Sequence, residues 1–173
     1  MPRGTTTDTL KKRAEALAES KQPANEKAAI ETAAFLLTDE IYGIELRFVR
    51  EVLPLGQITF IPGVPEYISG IINVRGEILS VMDLKRLFNL EAATAPDIQH
   101  ILVLSAPGMA FGILADQILG VRRIQKETLQ PSLPTLTGIR ADYLKGLDKT
   151  GLIVLDGEKL LTDESLTVNQ VDK

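Results

Sequence analysis

Hydrophobic residues occur along most of the chain in short runs separated by turn-forming residues, which is the pattern of a mainly β protein. Turns such as Thr38-Asp39-Glu40 and Arg75-Gly76 join neighbouring runs into hairpins. The predicted strands are Ala33–Leu37, Tyr42–Leu46, Gly70–Val74, Glu77–Met82, Ile98–Leu104, Met109–Ala115, Gly120–Ile124, Leu144–Asp148 and Leu152–Leu155.

Three segments have the apolar spacing of short helices. Arg47–Leu53 places its apolar residues at helical spacing and ends at Pro54. Asp83–Phe88 begins with an aspartate that can accept hydrogen bonds from the first helical amides, and Asp156 stands in the same relation to Gly157–Leu161. The sequence therefore predicts a β protein with a few short helices.

The two ends of the chain differ from its middle. Residues 1–31 form an N-terminal extension and linker, in which Asp8 can cap a helix that ends before Pro23. Its apolar face is narrow and rich in alanine, so we expect a helix that is mobile or weakly docked, with simple disorder as the alternative. Residues 163–173 are polar and predict a C-terminal tail that frays, which leaves 32–162 as the folded domain.

The two halves of the domain, residues 32–90 and 98–162, resemble each other at an offset of about 70 residues. Tyr42-Gly43-Ile44 in the first half corresponds to Phe111-Gly112-Ile113 in the second. Because closure removes unpaired edge strands, this repeat predicts two small barrels packed together. Whether the chain crosses between the barrels is left open, and chance similarity of strand-turn-strand segments is the alternative explanation.

Composition excludes several classes of protein. The 173 residues include no Cys, no Trp and one His, which excludes disulfide frameworks, thiolate metal sites and cysteine nucleophiles. The 19 basic and 23 acidic residues give a net charge of −4, which is unfavourable for general nucleic-acid binding. Neither a membrane-spanning apolar stretch nor a signal peptide is recognised, so we expect a cytoplasmic protein.

No catalytic constellation emerges from the sequence. His100, the only imidazole, lies within an apolar strand, where a structural role is the simpler interpretation. Gly146–Gly151 has the glycine spacing of a phosphate loop but lacks the Lys-Ser/Thr that must follow, so it predicts a hairpin turn. We therefore expect no enzyme, no cofactor and no metal. Val49, Glu51 and Arg75 remain as surface positions that form either a solvated rim or a recognition surface.

Short motifs in a fixed order extend over about residues 33–161. They are Tyr42-Gly43-Ile44, Val49-Arg50-Glu51-Val52, Ile61-Pro62, Pro65, Ile68-Ser69-Gly70, Asn73-Val74-Arg75-Gly76, Val81-Met82-Asp83-Leu84, Gly112-Ile113, Asp116, Val121, Tyr143–Gly146 and Leu152–Asp156. In order and spacing they resemble the CheW-like family of chemotaxis coupling proteins. The resemblance implies two tandem five-stranded SH3-like β-barrels and a stand-alone, non-enzymatic adaptor.

The resemblance also implies partners and contact residues. The partners are the cytoplasmic tips of methyl-accepting chemoreceptors and the regulatory domain of a CheA-type histidine kinase, in receptor arrays at the membrane. Receptor contact is implied for Val49, Glu51, Arg75 and Val121, and kinase contact for Ile58 and Gly70. Physically, a helical receptor tip needs an apolar groove, here Val49 and Val121, and a charged rim, here Glu51 and Arg75.

A second hypothesis comes from the fold alone. Small barrels commonly bind small ligands or nucleic acids, so a paired-barrel binding module is the alternative function. It would require a basic face with interspersed aromatic residues, and only 5% of this chain is aromatic. Composition therefore favours the adaptor.

Overall fold

The computed structural model of the protein describes residues 29–90, 98–131 and 139–166. These residues form ten strands: β1 (Ala29–Leu37), β2 (Glu40–Glu45), β3 (Val49–Pro54), β4 (Ile68–Val74), β5 (Glu77–Met82), β6 (His100–Ala106), β7 (Met109–Ala115), β8 (Gln117–Gln125), β9 (Leu144–Leu147) and β10 (Ile153–Leu155). Short helices span Leu84–Leu87, Ile139–Asp142 and Gly157–Thr162, and single 3-10 turns span Leu46–Phe48, Lys126–Thr128 and Glu164–Leu166. Across these ranges no helix is long and apolar enough to span a membrane.

The strands form two five-stranded sheets of the same design. One has the order β8-β1-β2-β10-β9 and is called the β1 barrel; the other has the order β3-β6-β7-β5-β4 and is called the β6 barrel. Each contains two antiparallel hairpins, β1–β2 with β9–β10 and β6–β7 with β4–β5, and one parallel pair joins the two hairpins, β10 to β2 and β5 to β7. The predicted mainly β fold with two packed barrels is confirmed.

Each barrel takes strands from both halves of the chain. The β1 barrel combines β1 and β2 with β8, β9 and β10, whereas the β6 barrel combines β3, β4 and β5 with β6 and β7. The barrels therefore do not coincide with the halves 32–90 and 98–162, and the chain crosses between them. The crossings are short: Leu46–Phe48 links β2 to β3, and Asp116 alone links β7 to β8. Because β6 and β5 already pair with the two edges of β7, the strand after Asp116 has no free edge of β7 to pair with and continues in the other sheet.

Backbone pairing closes both barrels in the same way. In the β6 barrel, the Thr59 and Ile71 backbones exchange two hydrogen bonds of 2.9 Å, so the segment after β3 pairs with β4. In the β1 barrel, Gln130 and Leu147 exchange bonds of 2.9 and 2.8 Å, so the segment after β8 pairs with β9. These bonds satisfy backbone groups that would otherwise be left at a sheet edge.

The largest apolar core lies between the barrels. It includes Phe35 and Tyr42 from the β1 barrel and Leu102 and Phe111 from the β6 barrel, all of them fully buried. A smaller cluster fills each barrel, with Val81 inside the β6 barrel and Val154 inside the β1 barrel among its members. Because the shared core holds most of the large buried side chains, the two barrels form one body.

A buried ion pair also joins the two barrels. Lys85 Nζ lies 2.6 Å from Asp116 Oδ1, and the two side chains are only 9% and 11% exposed. Asp116 Oδ2 in addition accepts a hydrogen bond of 2.9 Å from the Thr38 amide in the β1–β2 turn. The residue that carries the chain from β7 to β8 is therefore held by contacts to both sheets.

The helix predicted over Arg47–Leu53 is wrong. The structure has a 3-10 turn at Leu46–Phe48 followed by β3, which pairs with β6 along its length. The apolar residues of this segment occur in adjacent pairs, and such spacing fits a helix as well as a strand with a bulge. Phe48 is 7% exposed and packs against Gly157, where an added Cβ would lie 2.4 Å from its ring.

The two capped helices are confirmed. Asp83 accepts a hydrogen bond of 2.9 Å from the Lys85 amide, and Asp156 accepts one of 3.1 Å from the Lys159 amide. The predicted N-terminal helix lies outside the described residues. The expected fraying of the tail is wrong for Glu164–Leu166, because Leu166 is only 4% exposed and contributes to the shared core.

Candidate protein-interaction surface

Arg75 lies at the tip of the β4–β5 hairpin, in a turn of two residues. Arg75 and Gly76 have φ angles of 52° and 90°, the positive values of a type I′ turn, in which glycine is favoured. The side-chain oxygen of Asn73 accepts a hydrogen bond of 2.8 Å from the Gly76 amide. The turn therefore presents the Arg75 side chain to solvent, where it is 73% exposed.

Arg75 forms a bidentate ion pair with Glu51. Its Nη1 and Nη2 atoms lie 2.7 and 2.6 Å from the two carboxylate oxygens of Glu51 on β3. These hydrogen bonds lower the pKa of Glu51 and raise that of Arg75, with the hydrogen bond the largest cause in both. Arg50 makes a parallel contact of 2.8 Å to Glu77. Two ion pairs thus connect β3 to the β4–β5 hairpin. These two elements lie at opposite ends of the strand order of the β6 barrel.

The sequence placed Glu51 and Arg75 on one rim but did not predict their pairing. The ion pair depends on closure of the β6 barrel, which brings β3 beside the β4–β5 hairpin although Glu51 and Arg75 are 24 positions apart in the chain. Local sequence patterns contain no signal for such a contact.

Val49 and Glu51 do not share one face of β3. Val49 pairs with Leu104 and Glu51 with Val103, so two steps on β3 match one step on β6 and form a β-bulge. Since Leu104 belongs to the shared core and Val103 to the core of the β6 barrel, the bulge directs Val49 towards the seam between barrels. Val49 is half-buried there.

Val121 lies on the other barrel. It is 60% exposed on β8, and its cross-strand neighbour Ala33 belongs to the shared core. Val49 and Val121 therefore each lie next to residues of the shared core, one on each barrel, whereas Arg75 and Glu51 lie together at one end of the β6 barrel.

Ile58 and Gly70 are in direct contact. Gly70 has a φ of 149°, and a Cβ added to it would lie 2.2 Å from the Thr59 carbonyl oxygen and 2.7 Å from Ile58 Cγ2. Glycine is therefore required for the backbone approach that closes the barrel. A structural demand explains Gly70 in full, and Ile58 lies half-buried over it.

The structure also describes the positions at which the sequence raised candidate chemistry. Asp148 accepts hydrogen bonds from Thr150, and Gly151 has a φ of 95°, so residues 146–151 include the β9–β10 hairpin turn. His100 is half-buried, and its Nδ1 has no hydrogen-bond partner within the described ranges. Those ranges also contain no group of three or more His, Asp or Glu side chains that could hold a metal ion.

An open cleft of about 370 Å³ lies beside the start of β1. It is lined by backbone and side chains of Ala29, Ile30, Glu31, Glu45, Leu46, Arg47 and Arg123. Arg47 is held over the Phe48 ring, with its guanidinium carbon 4.3 Å from the ring centroid, and pairs with Glu45 at 3.3 Å. Of the charged residues that line this cleft, Glu45 also contacts Lys145 at 3.3 Å.

The fold and the exposed residues define a two-barrel protein-interaction module. A family model described as "CheW-like domain" matches residues 31–165. The chain is 34% identical to the chemotaxis protein CheW of Treponema pallidum over 76% of this chain and 82% of the relative. It is 30% identical to the CheW of Klebsiella aerogenes over 88% and 93% of the respective chains.

A solved structure agrees with these relatives. The scaffolding protein TtCheW from Thermoanaerobacter tengcongensis superposes with a TM-score of 0.65 at 32% identity, covering 73% of this chain and 83% of that one. The chain belongs to the CheW-like family, and the two relatives compared above are chemotaxis proteins. The alternative of a paired-barrel ligand- or nucleic-acid-binding module is not favoured.

Proposed function

We propose that this protein is a non-enzymatic adaptor that joins the cytoplasmic tips of methyl-accepting chemoreceptors to the regulatory domain of a CheA-type histidine kinase. The observation that carries this function is the presence of two surfaces of different chemistry on one rigid body. One surface has an apolar seam with a charged rim, and the other is an uncharged barrel edge. A coupling protein needs two such surfaces because it must hold two partners at once.

The receptor is assigned to the seam and its rim. Val49 and Val121 border the seam between the barrels, where a helical hairpin can bury apolar side chains. Arg75, held by Glu51, presents an oriented guanidinium at the end of the β6 barrel, which suits a polar or acidic group on the hairpin. The pair fixes the geometry, and the exposed guanidinium edge remains available to a partner.

The kinase is assigned to the closing edge of the β6 barrel, around Ile58 and Gly70. Gly70 supports this surface indirectly, because its missing side chain lets the segment after β3 lie against β4. The contact need not be strong, since an array of many weak contacts gains from effective concentration. In this arrangement the protein resides in the cytoplasm and is recruited to membrane-associated receptor arrays.

The test is reconstitution of a three-component complex from purified parts. The full chain is mixed with a receptor signalling fragment and with a kinase regulatory domain, separately and together, and the complexes are measured by size-exclusion chromatography with light scattering. The proposal predicts both binary complexes and one ternary complex. A chain that binds neither fragment, or that binds one only when the other is absent, contradicts it.

A further inference from the structure

Phe60 differs from every other aromatic residue of this protein in its exposure. The chain has five Phe and three Tyr, and all eight lie in the described ranges. Seven are buried or half-buried, whereas Phe60 is 72% exposed, the highest value among the exposed large hydrophobic residues. Leaving a phenyl ring in water forgoes the stabilisation that its burial would give.

Phe60 lies within a mostly exposed stretch of chain that contains no charged residue. No residue from 52 to 65 is Asp, Glu, Lys, Arg or His, although 24% of the chain is charged. Most of these residues are exposed, Val52 and Leu55 among them at 41% and 42%. We call residues 52–65 the uncharged surface. Depletion of charge with a central aromatic residue is the composition of the core of a protein–protein interface.

The backbone of the uncharged surface is fixed in place. The Leu55 amide donates a hydrogen bond of 2.9 Å to the Gln99 carbonyl, and Thr59 is held by its two hydrogen bonds to Ile71. Phe60 follows Thr59 directly, so its position is determined by the closure of the barrel. A surface that is already ordered loses less conformational entropy when a partner binds.

Barrel design does not require this phenyl ring. The equivalent closing pair in the β1 barrel is Gln130–Leu147, and the residue after Gln130 is Pro131. The β1 barrel therefore closes without an aromatic residue at that place. The exposed ring is a feature of one barrel only, which calls for an explanation outside the fold.

We infer that Phe60 is the apolar anchor of the kinase-binding surface and inserts into an apolar pocket on the kinase regulatory domain. This inference rests on the proposed function, because Ile58, one of the proposed kinase contacts, lies in the uncharged surface two residues before Phe60. The absence of charge favours a folded, apolar partner face. It disfavours nucleic acid and anionic lipid, which both require cations.

The experiment compares Phe60→Ser with Val121→Ser, a matched change at a valine of similar exposure on the other barrel. Affinity of each full chain for the kinase regulatory domain and for a receptor signalling fragment is measured by biolayer interferometry. We expect Phe60→Ser to weaken kinase binding at least about tenfold and to leave receptor binding unchanged, because anchor residues dominate interface energetics. Val121→Ser should show the reverse, and Phe60→Leu should restore part of the kinase affinity.

The outcomes separate this inference from the proposed function. If the wild-type chain binds the kinase domain and Phe60→Ser binds it equally well, only the anchor is refuted. If the wild-type chain binds neither fragment, the proposed function fails as well. Sedimentation of the chain alone provides a further arm: self-association that Phe60→Ser abolishes, with unchanged kinase binding, would assign the ring to a second copy and overturn the inference.

Discussion

The guanidinium of Arg75 donates hydrogen bonds of 2.6 and 2.7 Å to the two carboxylate oxygens of Glu51. This ion pair connects β3 to the β4–β5 hairpin, where the β6 barrel closes. Reversal of the Arg75 charge should therefore change recognition more than stability, because the arginine is 73% exposed and exposed ion pairs contribute little to folding. We expect Arg75→Glu to abolish capture of a receptor fragment while its melting temperature stays close to that of the wild type.

The charge swap gives the control for this pair. Arg75→Glu combined with Glu51→Arg restores an ion pair with the opposite orientation, and we expect receptor capture to remain lost. Arg86→Glu changes an arginine of 61% exposure elsewhere on the protein and should leave capture unchanged. If the swap restores receptor binding, the Glu51–Arg75 ion pair affects the receptor only by closing the barrel, and the Arg75 side chain does not contact the receptor itself.

The Lys85–Asp116 pair should be the ion pair on which stability depends most. Lys85→Met leaves the nearly buried Asp116 carboxylate without its cation, and we expect a loss of about 3–5 kcal/mol in the free energy of unfolding. Urea denaturation measures this loss. Arg50→Met, which breaks the exposed pair with Glu77, should cost far less, and equal losses in the two variants would contradict the assignment.

Gly70→Ala should destabilise the protein by about 2–5 kcal/mol, from the sum of steric overlap and an unfavourable backbone angle. The added methyl group would collide with the Thr59 carbonyl at 2.2 Å. Gly63→Ala is the matched control, since it also has a positive φ, of 84°, but open space around it, and should cost about 1–2 kcal/mol.

Hydrogen exchange at the Thr59 and Ile71 amides distinguishes the two glycine variants further. Their exchange should accelerate in Gly70→Ala, because the backbone pair that closes the barrel is disrupted, and should be unchanged in Gly63→Ala. Loss of kinase binding with unaltered exchange in Gly70→Ala would place a partner directly on the glycine instead.

Tyr143 should make stability decrease at high pH. Burial, and then the hydrogen bond that its hydroxyl donates to Asp163, raise the pKa of Tyr143 above its ordinary value of 10.0. The unfolded chain therefore loses the phenolic proton first. The stabilisation is complete below about pH 10 and is lost as the pH rises from there towards the pKa of the folded state. The comparison is urea midpoints from pH 8 to pH 11 for wild type and Tyr143→Phe, and parallel curves would refute this account.

The strands and hairpins could be predicted because their signals are local. The turn at Arg75-Gly76 and the cap at Asp83 depend on neighbouring residues only, and both occur as expected. The helix predicted over Arg47–Leu53 failed because its apolar spacing also fits a strand, and pairing with β6 decides between them. Distant strands impose that choice, and a short window of sequence does not contain them.

The candidate site shows the same division. Resemblance to a family identified Glu51 and Arg75, but their ion pair exists only because the barrel closes. The β-bulge directs Val49 and Glu51 to different faces of β3. Strict alternation along a strand would instead place these two residues, which are two positions apart, on the same face. The exposure of Phe60 follows from the path of the segment after β3, which no periodicity describes.

The reciprocal exchange of strands sets the order in which the protein can be completed during synthesis. The β6 barrel has all its strands once Ala115 has been added, whereas the β1 barrel must wait for Leu155 at the end of β10. Among the described strands, the β1–β2 hairpin is synthesised before the others, yet it obtains its full set of neighbours only when β10 has been made. Until then, its apolar face, which includes Phe35 and Tyr42, can be buried only by packing against the β6 barrel. The barrel that carries the proposed kinase surface therefore also protects the incomplete β1 barrel from exposing apolar side chains.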